Sequence, residues 1–263
     1  MGYIEDNKAA WEEAFENRKP GWGDDNHILL DKEEFYFFND DMKKVLERIS
    51  VEGKTVAQFC CNNGRELLSV MKAGAGYGVG VDIAENLIGQ AKTTAEKAGI
   101  TNCCFDNRNV LDASDKYANE FDLIFFTIGA ITWLKDLNLL FKVVADCLKS
   151  GGILIINDFH PLFNMLPTPD EAPFDEKHLD RITYPYFEKE PWAENTGMSY
   201  MSVDFVSKTP FTSSAHTISD ILNALIANGM KLTRFDEFDY DLGLTDVYDN
   251  KGYPLSFILV AEK

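Results

Sequence analysis

The sequence has little positive charge and no long apolar run. Its 263 residues include 25 Lys and Arg against 43 Asp and Glu, which gives a formal net charge of −18. Binding of a phosphate backbone needs clustered Lys and Arg, so this balance predicts no nucleic-acid partner. No apolar stretch reaches the roughly 18 residues of a membrane-spanning helix, and the charged N-terminal segment has no signal-peptide core. We therefore expect a cytoplasmic protein without a membrane partner.

Cysteine is scarce and poorly spaced for a disulfide framework. The five cysteines lie at positions 60, 61, 103, 104 and 147, an odd count without any C-x-x-C spacing. We expect them to be reduced, buried and small apolar residues. A Ser/His/Asp arrangement and a metal-ligand cluster are also missing from the sequence, so the site is expected to hold no metal.

What the sequence does contain is organised around one stretch, KTVAQFCCNNGRELLSVMKAGAGYGVGVD, from Lys54 to Asp82. Its pattern predicts a strand over 55–59, a turn ending at Gly64, a helix and a second strand that ends at Asp82. A strand that turns directly into a helix points the free N–H groups of the helix at the sheet edge. Asp82, placed after the next strand, can accept both hydroxyls of a ribose. The stretch therefore predicts a nucleoside-binding half-site.

The alternation of strands and helices continues along the chain. Further strands are predicted over 103–108, 121–128 and 153–159, with a helix before each of the first and third. Two last strands, over 231–238 and 255–261, have no helix between them and should pair antiparallel. The predicted fold class is α/β, a doubly wound, mostly parallel seven-stranded sheet with an antiparallel last strand pair.

Several motifs resemble one known family. Gln58, Cys60, Asn62 and Gly64 occupy the positions of the D-x-G-x-G-x-G turn, motif I of the class I S-adenosylmethionine-dependent methyltransferases. The chain is most similar to a bacterial subgroup of that family with a C-x-x-G form of motif I. That subgroup also carries a G-x-x-x-W-L segment, here 129–134, and a His-Pro pair, here 160–161. The resemblance implies a Rossmann-like methyltransferase with S-adenosylmethionine as cofactor.

The resemblance also implies which residues form the site. Asn109 stands where the family usually has an acid that meets the adenine amino group, and its carbonyl oxygen can accept that bond. The implied cofactor-binding residues are Phe59, Cys60, Asn62, Gly64, Asp82, Ile83, Asn109, Val110, Thr127 and Ile128.

Residues 160–213 interrupt the alternation and are rich in proline and aromatic residues. Seven of the nine prolines lie between Pro161 and Pro210, and the segment is too long for a simple connection. We interpret it as a lid that holds the methyl acceptor, although an ordinary surface insertion is the alternative. The expected organisation is a helical cap over 1–50, the cofactor-binding core over 51–159, this insertion, and a C-terminal part over 214–263 that completes the core.

Methyl transfer from a sulfonium needs alignment, and it needs a base only when the acceptor must lose a proton. His160 at the end of the fifth strand is the first candidate base, His216 the second and Asp158 the third. Trp11, Tyr186 and Trp192 are the candidate acceptor-binding residues. The alternative for His160 is a structural bond between the insertion and the sheet.

The expected function is methyl transfer to the nitrogen or oxygen of a small molecule, and the negative charge mildly favours an amine. Two other functions stay open from the sequence alone. One is a non-catalytic binder of S-adenosylmethionine or a nucleoside. The other is a nicotinamide oxidoreductase, which the absence of G-x-G-x-x-G disfavours. The acceptor and the oligomeric state are not predicted.

Overall fold

A seven-stranded sheet forms the centre of the computed structural model, which describes residues 2–198, 200–202 and 204–263. The strands are β1 (Thr55–Phe59), β2 (Tyr77–Asp82), β3 (Cys103–Asn107), β4 (Phe121–Phe126), β5 (Leu148–Phe159), β6 (Trp192–Glu194), β7 (Phe211–Ser213), β8 (Lys231–Phe238) and β9 (Ser256–Glu262). The helices are α1 (Gly2–Glu16), α2 (Asn26–Leu29), α3 (Asp40–Ile49), α4 (Arg65–Lys72), α5 (Glu85–Lys97), α6 (Ser114–Tyr117), α7 (Leu137–Cys147) and α8 (Ile218–Ala227).

The order of the strands in the sheet is β3-β2-β1-β4-β5-β9-β8. The first five strands run parallel, and β9 lies antiparallel between β5 and β8. The predicted fold class, including the antiparallel last pair, is therefore confirmed. In this order β1 and β4 are neighbours at the centre, so the chain reverses direction across the sheet there, and ligands of such sheets bind beyond the carboxyl ends of the strands.

The two faces of the sheet are covered by different helices. One face packs against α3, α4 and α5, and the other packs against α6, α7 and α8. The strand FDLIFF shows why both faces must be covered, because five of its six side chains are buried. Complete burial of one such phenylalanine contributes about 2–3 kcal/mol, so the central strands fix the sheet firmly under the site.

One predicted boundary differs from the structure. The fifth strand, predicted over 153–159, begins earlier in the structure, because β5 also includes Lys149 to Gly152. Gly151 has a φ of 75°, and the register between β4 and β5 shifts between Phe121 and Leu123. The glycine therefore makes a bulge that keeps the strand continuous instead of ending it.

The insertion contains a short antiparallel pair formed by β6 and β7. Helix α1 packs on β7 through a small apolar cluster that includes Ala10, Ala14, Met198, Met201 and Phe211. These contacts place α1 and the insertion together over the carboxyl-terminal edge of the sheet. No helix in the described ranges is both long and apolar enough to cross a membrane.

The backbone at Gly64 yields a stability prediction. Its φ is 71°, and a Cβ there would lie 2.3 Å from Cε1 of Phe105. Gly64→Ala should lower the free energy of unfolding by about 3 kcal/mol, because a left-handed alanine costs about 1–2 kcal/mol and the clash adds to it. Gly99 is the matched control, with a φ of 67° and no atom within 4 Å of a Cβ. Gly99→Ala should lower the free energy of unfolding, measured in urea, by only about 1 kcal/mol. Equal losses of stability in the two variants would show that the ring of Phe105 moves away without cost.

Candidate active site

A cavity of about 930 Å³ lies at the carboxyl-terminal edge of the parallel strands. Its walls come from the turn after β1, the ends of β2, β4 and β5, helix α1 and the insertion. The volume is in the range of cavities that enclose a small molecule together with a cofactor. We divide it into a cofactor half, beside the turn after β1 and the end of β2, and an acceptor half, beside the insertion.

The turn after β1 has an unusual backbone. Cys60, Asn62 and Gly64 have φ angles of 55°, 51° and 71°. These are the three positions at which the family motif usually has glycine, so the left-handed geometry persists although two of the glycines are replaced. The side chain of Asn62 accepts the N–H of Asn63 at 2.8 Å, a local bond that helps asparagine to adopt this conformation.

Asp82 ties this turn to β2. One of its oxygens accepts the N–H of Asn62 at 2.8 Å and the other accepts the N–H of Ala84 at 3.0 Å. Burial raises the pKa of Asp82 to about 6, although the hydrogen bonds from Ala84 and Asn62 oppose the shift. Because each carboxylate oxygen has two lone pairs, both oxygens can still accept a hydroxyl from the cavity.

An ion pair in the first turn of α4 lines the cofactor half. Nε of Arg65 lies 2.8 Å from Oε1 of Glu66. The amide of Gln58 donates to Oγ1 of Thr127 at 3.0 Å and accepts the N–H of Leu67 at 3.1 Å. Gln58 stands at the position of the family's leading acid, but its side chain bonds within the fold. In this turn Glu66 is the acid that lines the cavity. The Arg65–Glu66 pair directly follows Gly64, and no sequence pattern marked it as part of the site.

Asp158 connects the end of β5 with the loop after β4. Oδ1 accepts the N–H groups of Gly129 at 2.6 Å and Phe159 at 2.8 Å, and Oδ2 accepts the N–H of Ile131 at 3.3 Å. The residue is only 3% exposed, and this burial raises its pKa to about 6. The carboxylate of Asp158 therefore fixes the loop after β4, and the residue is also part of the cavity lining.

Helix α1 closes the acceptor half from above. The side chain of Asn7 donates to the carbonyl of Thr212 at 2.8 Å and accepts its N–H at 2.6 Å. The ring of Trp11 meets Trp133 and Phe211 edge to face, with centroids 5.4 Å and 5.8 Å away. These contacts join α1 to the insertion and form an aromatic wall of the cavity.

Most of the sequence-predicted site residues meet at this cavity. Asn109 lines it while its side chain accepts the N–H of Leu111 at 3.1 Å, which starts a short 3₁₀ helix. The predicted residues found in the lining are Trp11, Cys60, Asn62, Asp82, Ile83, Asn109, Val110, Thr127, Ile128, Trp192 and His216.

Phe59 and Gly64 lie outside the lining. The side chain of Phe59 is fully buried and packs edge to face on Phe121 and Phe126. Gly64 begins α4 and packs against Phe105 and Ala91. Both residues shape the turn from behind, and their predicted contact with the cofactor stays a prediction.

Tyr186 also lies outside the cavity. Its hydroxyl accepts the N–H of Ile218 at 3.1 Å, which is one of the N–H groups that the first turn of α8 leaves without a helical partner. The predicted role of Tyr186 in acceptor binding is therefore replaced by a role at the start of this helix. Trp192, from the same insertion, does line the cavity.

His160 is not placed to act as a base. Its Nε2 lies 2.9 Å from Oε1 of Glu237, and its Nδ1 accepts the N–H of Leu162 at 3.0 Å. Burial lowers its pKa while Glu237 opposes the shift. With both nitrogens engaged and the residue outside the lining, His160 joins the start of the insertion to β8, which was the structural alternative.

His216 is the histidine that lines the cavity. Its Nε2 lies 2.8 Å from the carbonyl of Leu134. A carbonyl can only accept, so Nε2 carries the proton in this bond and Nδ1 is the acceptor nitrogen. Burial lowers the pKa of His216, which favours this neutral form.

Three acids lie close together in the loop before β9. They are Asp241, Asp246 and Asp249, and their carboxylate oxygens lie within 4.8 Å of one another. Asp241 is fully buried and accepts N–H groups from Gly243, Thr245 and Asp246. Burial opposes its ionisation, but the hydrogen bonds from Thr245 and the backbone lower its pKa. Asp241 therefore shapes the loop, and Thr245 of that loop reaches the cavity.

A family model for the methyltransferase domain matches residues 50–190, more than half of the chain. The chain belongs to this family. The enzyme is 27% identical to ribosomal protein L11 methyltransferase of Pectobacterium atrosepticum over 158 residues, which are 60% of the chain and 49% of that relative. It is 29% identical to the same protein of Escherichia coli over 153 residues, 58% of the chain and 47% of the relative. The chain thus spans about half the length of these curated relatives.

Solved structures agree with this assignment. An S-adenosylmethionine-dependent methyltransferase from Mesorhizobium loti aligns with a TM-score of 0.59 and 20% identity, over 89% of this chain and 100% of that one. The geranyl diphosphate C-methyltransferase of Streptomyces coelicolor, solved with S-adenosyl-L-homocysteine, aligns with a TM-score of 0.65 and 12% identity, over 100% and 98%. The chain therefore carries a methyltransferase domain with the fold of the S-adenosylmethionine-dependent methyltransferases, as the sequence motifs predicted, and S-adenosylmethionine is the cofactor of this domain.

The raised pKa of Asp82 predicts how cofactor affinity depends on pH. Hydroxyl donors need the ionised carboxylate, so affinity should be complete above pH 6 and fall as the pH drops through about 6. Calorimetry with S-adenosylhomocysteine should show about tenfold weaker binding at pH 5 than at pH 7.5. Asp82→Asn should bind weakly at both values, whereas Asp158→Asn should keep the dependence. Equal wild-type affinity at both pH values would show that Asp82 does not hold the ligand.

Proposed function

We propose that this enzyme methylates a nitrogen or oxygen atom of a small molecule enclosed in the cavity. One observation carries the proposal. The cavity continues from Asp82 and Asn109, in the cofactor half, to a second half that α1 and the insertion roof with Trp11, Trp133 and Trp192. An enclosed aromatic chamber suits a small molecule better than a flat protein surface does.

The residues of the cofactor half match the parts of S-adenosylmethionine. The oxygens of Asp82 suit two ribose hydroxyls, and Asn109 suits the adenine edge. The guanidinium of Arg65 and the carboxylate of Glu66 match the carboxylate and ammonium groups of an amino acid. When bound, the cofactor supplies a methyl group on a positively charged sulfur.

The residues of the acceptor half align the acceptor and exclude water. Trp11 meets Trp133 and Phe211 edge to face. Trp133 and Phe211 are tilted against each other with centroids 6.2 Å apart, so the three rings support one another in the wall. Alignment of this kind lowers a barrier by up to roughly 7–11 kcal/mol. Among the groups of the lining, Asp158 and Nδ1 of His216 are the candidates for taking a proton from the acceptor.

A protein acceptor is the second candidate. The curated relatives are named for ribosomal protein L11, and an amine of that protein would need the same alignment. The match covers less than half of the length of those relatives. It therefore supports a methyltransferase domain more strongly than it supports a ribosomal protein as the acceptor. The contacts of α1 with β7 favour the small molecule, because they cover the acceptor half.

The test is a screen for S-adenosylhomocysteine formation with a panel of metabolites and with ribosomal protein L11, read out by the mass gain of one methyl group. Trp192→Ala should raise the KM of the methylated metabolite roughly tenfold, equivalent to about 1.4 kcal/mol, without changing the affinity for S-adenosylhomocysteine. Phe187→Ala, at a residue of the same insertion that is 73% exposed, is the control and should have no effect. Methylation of L11 and of no metabolite would overturn the proposal.

The Arg65–Glu66 pair can be tested separately with two ligands. Glu66→Gln keeps an oxygen for Arg65 but removes the charge that an ammonium group needs. We expect about tenfold weaker binding of S-adenosylhomocysteine. Binding of 5′-methylthioadenosine, which lacks the amino acid part, should stay as in the wild type. Weaker binding of both ligands would mean that Glu66 supports the turn and does not contact the amino acid part of S-adenosylhomocysteine.

A further inference from the structure

The two halves of the cavity differ in charge. In the cofactor half, the negative Glu66 and Asp82 face the positive Arg65 and Arg108. In the acceptor half, the charged residues in the described part of the lining are Asp158, Asp170, Glu171 and Glu194, without Lys or Arg among them. The neutral form of His216 leaves that half with no positive group of its own. A negatively charged acceptor would meet only repulsion there.

Three of these acids, Asp170, Glu171 and Glu194, belong to the insertion and lie near one another. The hydroxyl of Tyr184 donates to Oε1 of Glu171 at 3.0 Å. Thr168 donates its hydroxyl to Asp170 at 2.6 Å and its N–H to Glu171. Partial desolvation, together with the charges of Glu171 and Asp170, raises the pKa of Glu194, which stays exposed to solvent on one side. The fold therefore keeps these carboxylates together although they repel one another, and a bound cation would relieve that repulsion.

Two features besides Asp170, Glu171 and Glu194 point to a ligand in this half. Asp158 is a charged residue that is only 3% exposed and belongs to the cavity lining. Aromatic residues line the same half, including Trp192 and the stacked pair of Phe159 and Phe163, whose ring centroids are 5.4 Å apart. Aromatic faces next to carboxylates are the surroundings that alkylammonium groups prefer.

We propose that the methyl acceptor is an amine that is positively charged in solution, recognised by Glu171 and Glu194 of the insertion and by Asp158 at the end of β5. The inference rests on the proposed function, and it names the class of small molecule that the enzyme methylates. It excludes carboxylates, phosphates and diphosphates as acceptors.

The reaction balances with the groups present. The bound ammonium first gives a proton to a carboxylate, for which Asp158 is suited. The nitrogen lone pair then forms a bond to the methyl carbon while the carbon–sulfur bond breaks, and that electron pair stays on sulfur. The products are the N-methylated ammonium ion, S-adenosylhomocysteine and the proton on Asp158, which leaves to solvent when the products dissociate, so no oxidant, reductant or metal is needed.

Calorimetry on the enzyme saturated with S-adenosylhomocysteine tests the charge preference with matched probes. The first set is benzylamine, benzyl alcohol and benzoate, and the second is hexylamine, hexanol and hexanoate. Each amine should bind at least about tenfold more tightly than its alcohol, because a hydrogen-bonded ion pair replaces a neutral contact. The two acids should not bind.

Two substitutions that remove charge locate the preference. Glu171→Gln and Glu194→Gln should each reduce the advantage of amine over alcohol by about threefold or more. Glu190→Gln is the matched control, because it removes the same charge from the same insertion at an exposed residue outside the lining, and it should leave the advantage unchanged. All three variants should bind S-adenosylhomocysteine like the wild type, which shows that they are folded.

The outcomes separate this inference from the proposed function. Alcohols or acids that bind as tightly as the amines overturn the inference, and so do amines that fail to bind at millimolar concentration. The inference is also overturned if the Glu171→Gln and Glu194→Gln variants still bind the amines more tightly than the alcohols by the same factor as the wild type. Methylation of a neutral or anionic metabolite in the screen would overturn the cationic acceptor and leave the proposed function intact. An amine preference in calorimetry with methylation of protein L11 alone would overturn the proposed function.

Discussion

The site depends on the hydrogen bond between the carboxylate of Asp82 and the backbone N–H of Asn62. Cys60 and Asn62 have left-handed backbones, each of which costs about 1–2 kcal/mol for a residue other than glycine. The charged bond at 2.8 Å and a bond from the N–H of Cys61 to the carbonyl of Val81 at 3.0 Å offset that cost. Asp82 therefore has two tasks, because it holds the turn in place and keeps lone pairs for the ligand.

This coupling explains how a motif with one glycine of three can survive. The family motif uses glycine because the turn needs positive φ angles, and the structure keeps those angles at positions 60, 62 and 64. Asparagine is among the residues that best tolerate them, and Asn62 adds its own bond to Asn63. The replacement of two glycines by Cys60 and Asn62 adds side chains to the turn. These side chains form part of the cavity wall, where glycine would leave only backbone.

The sequence was informative wherever a local pattern decides the structure. Apolar runs such as FDLIFF predict buried strands, and the order of elements predicts the antiparallel last pair. Thr217 and Asp220, three positions apart, form the capping box that begins α8. The residues at the ends of the strands also met at one edge, because parallel strands bring their carboxyl ends together. These parts of the fold follow from periodicity and need no distant partner.

The sequence was misleading where a distant partner decides the role of a side chain. His160 stands at a strand end, as a base would, but Glu237 from β8 lies beside it, 77 positions further along the chain. Tyr186 is one of many aromatics in the insertion, and only the position of α8 shows that its hydroxyl meets Ile218. Glu66 was overlooked for the opposite reason, since its place in an ordinary helix turn gave no sign that it faces the cavity.

The charge distribution of the cavity has a consequence for the order of events in methyl transfer. A sulfonium and an ammonium ion in one enclosed space repel each other strongly, because low polarity weakens screening. The carboxylates of the acceptor half lower that cost, and Asp158 can remove the ammonium proton before the nitrogen attacks. Its raised pKa makes it a better proton acceptor than an ordinary carboxylate. The same burial that makes an ionised Asp158 costly in the empty enzyme thus suits it to a ligand that arrives with a positive charge.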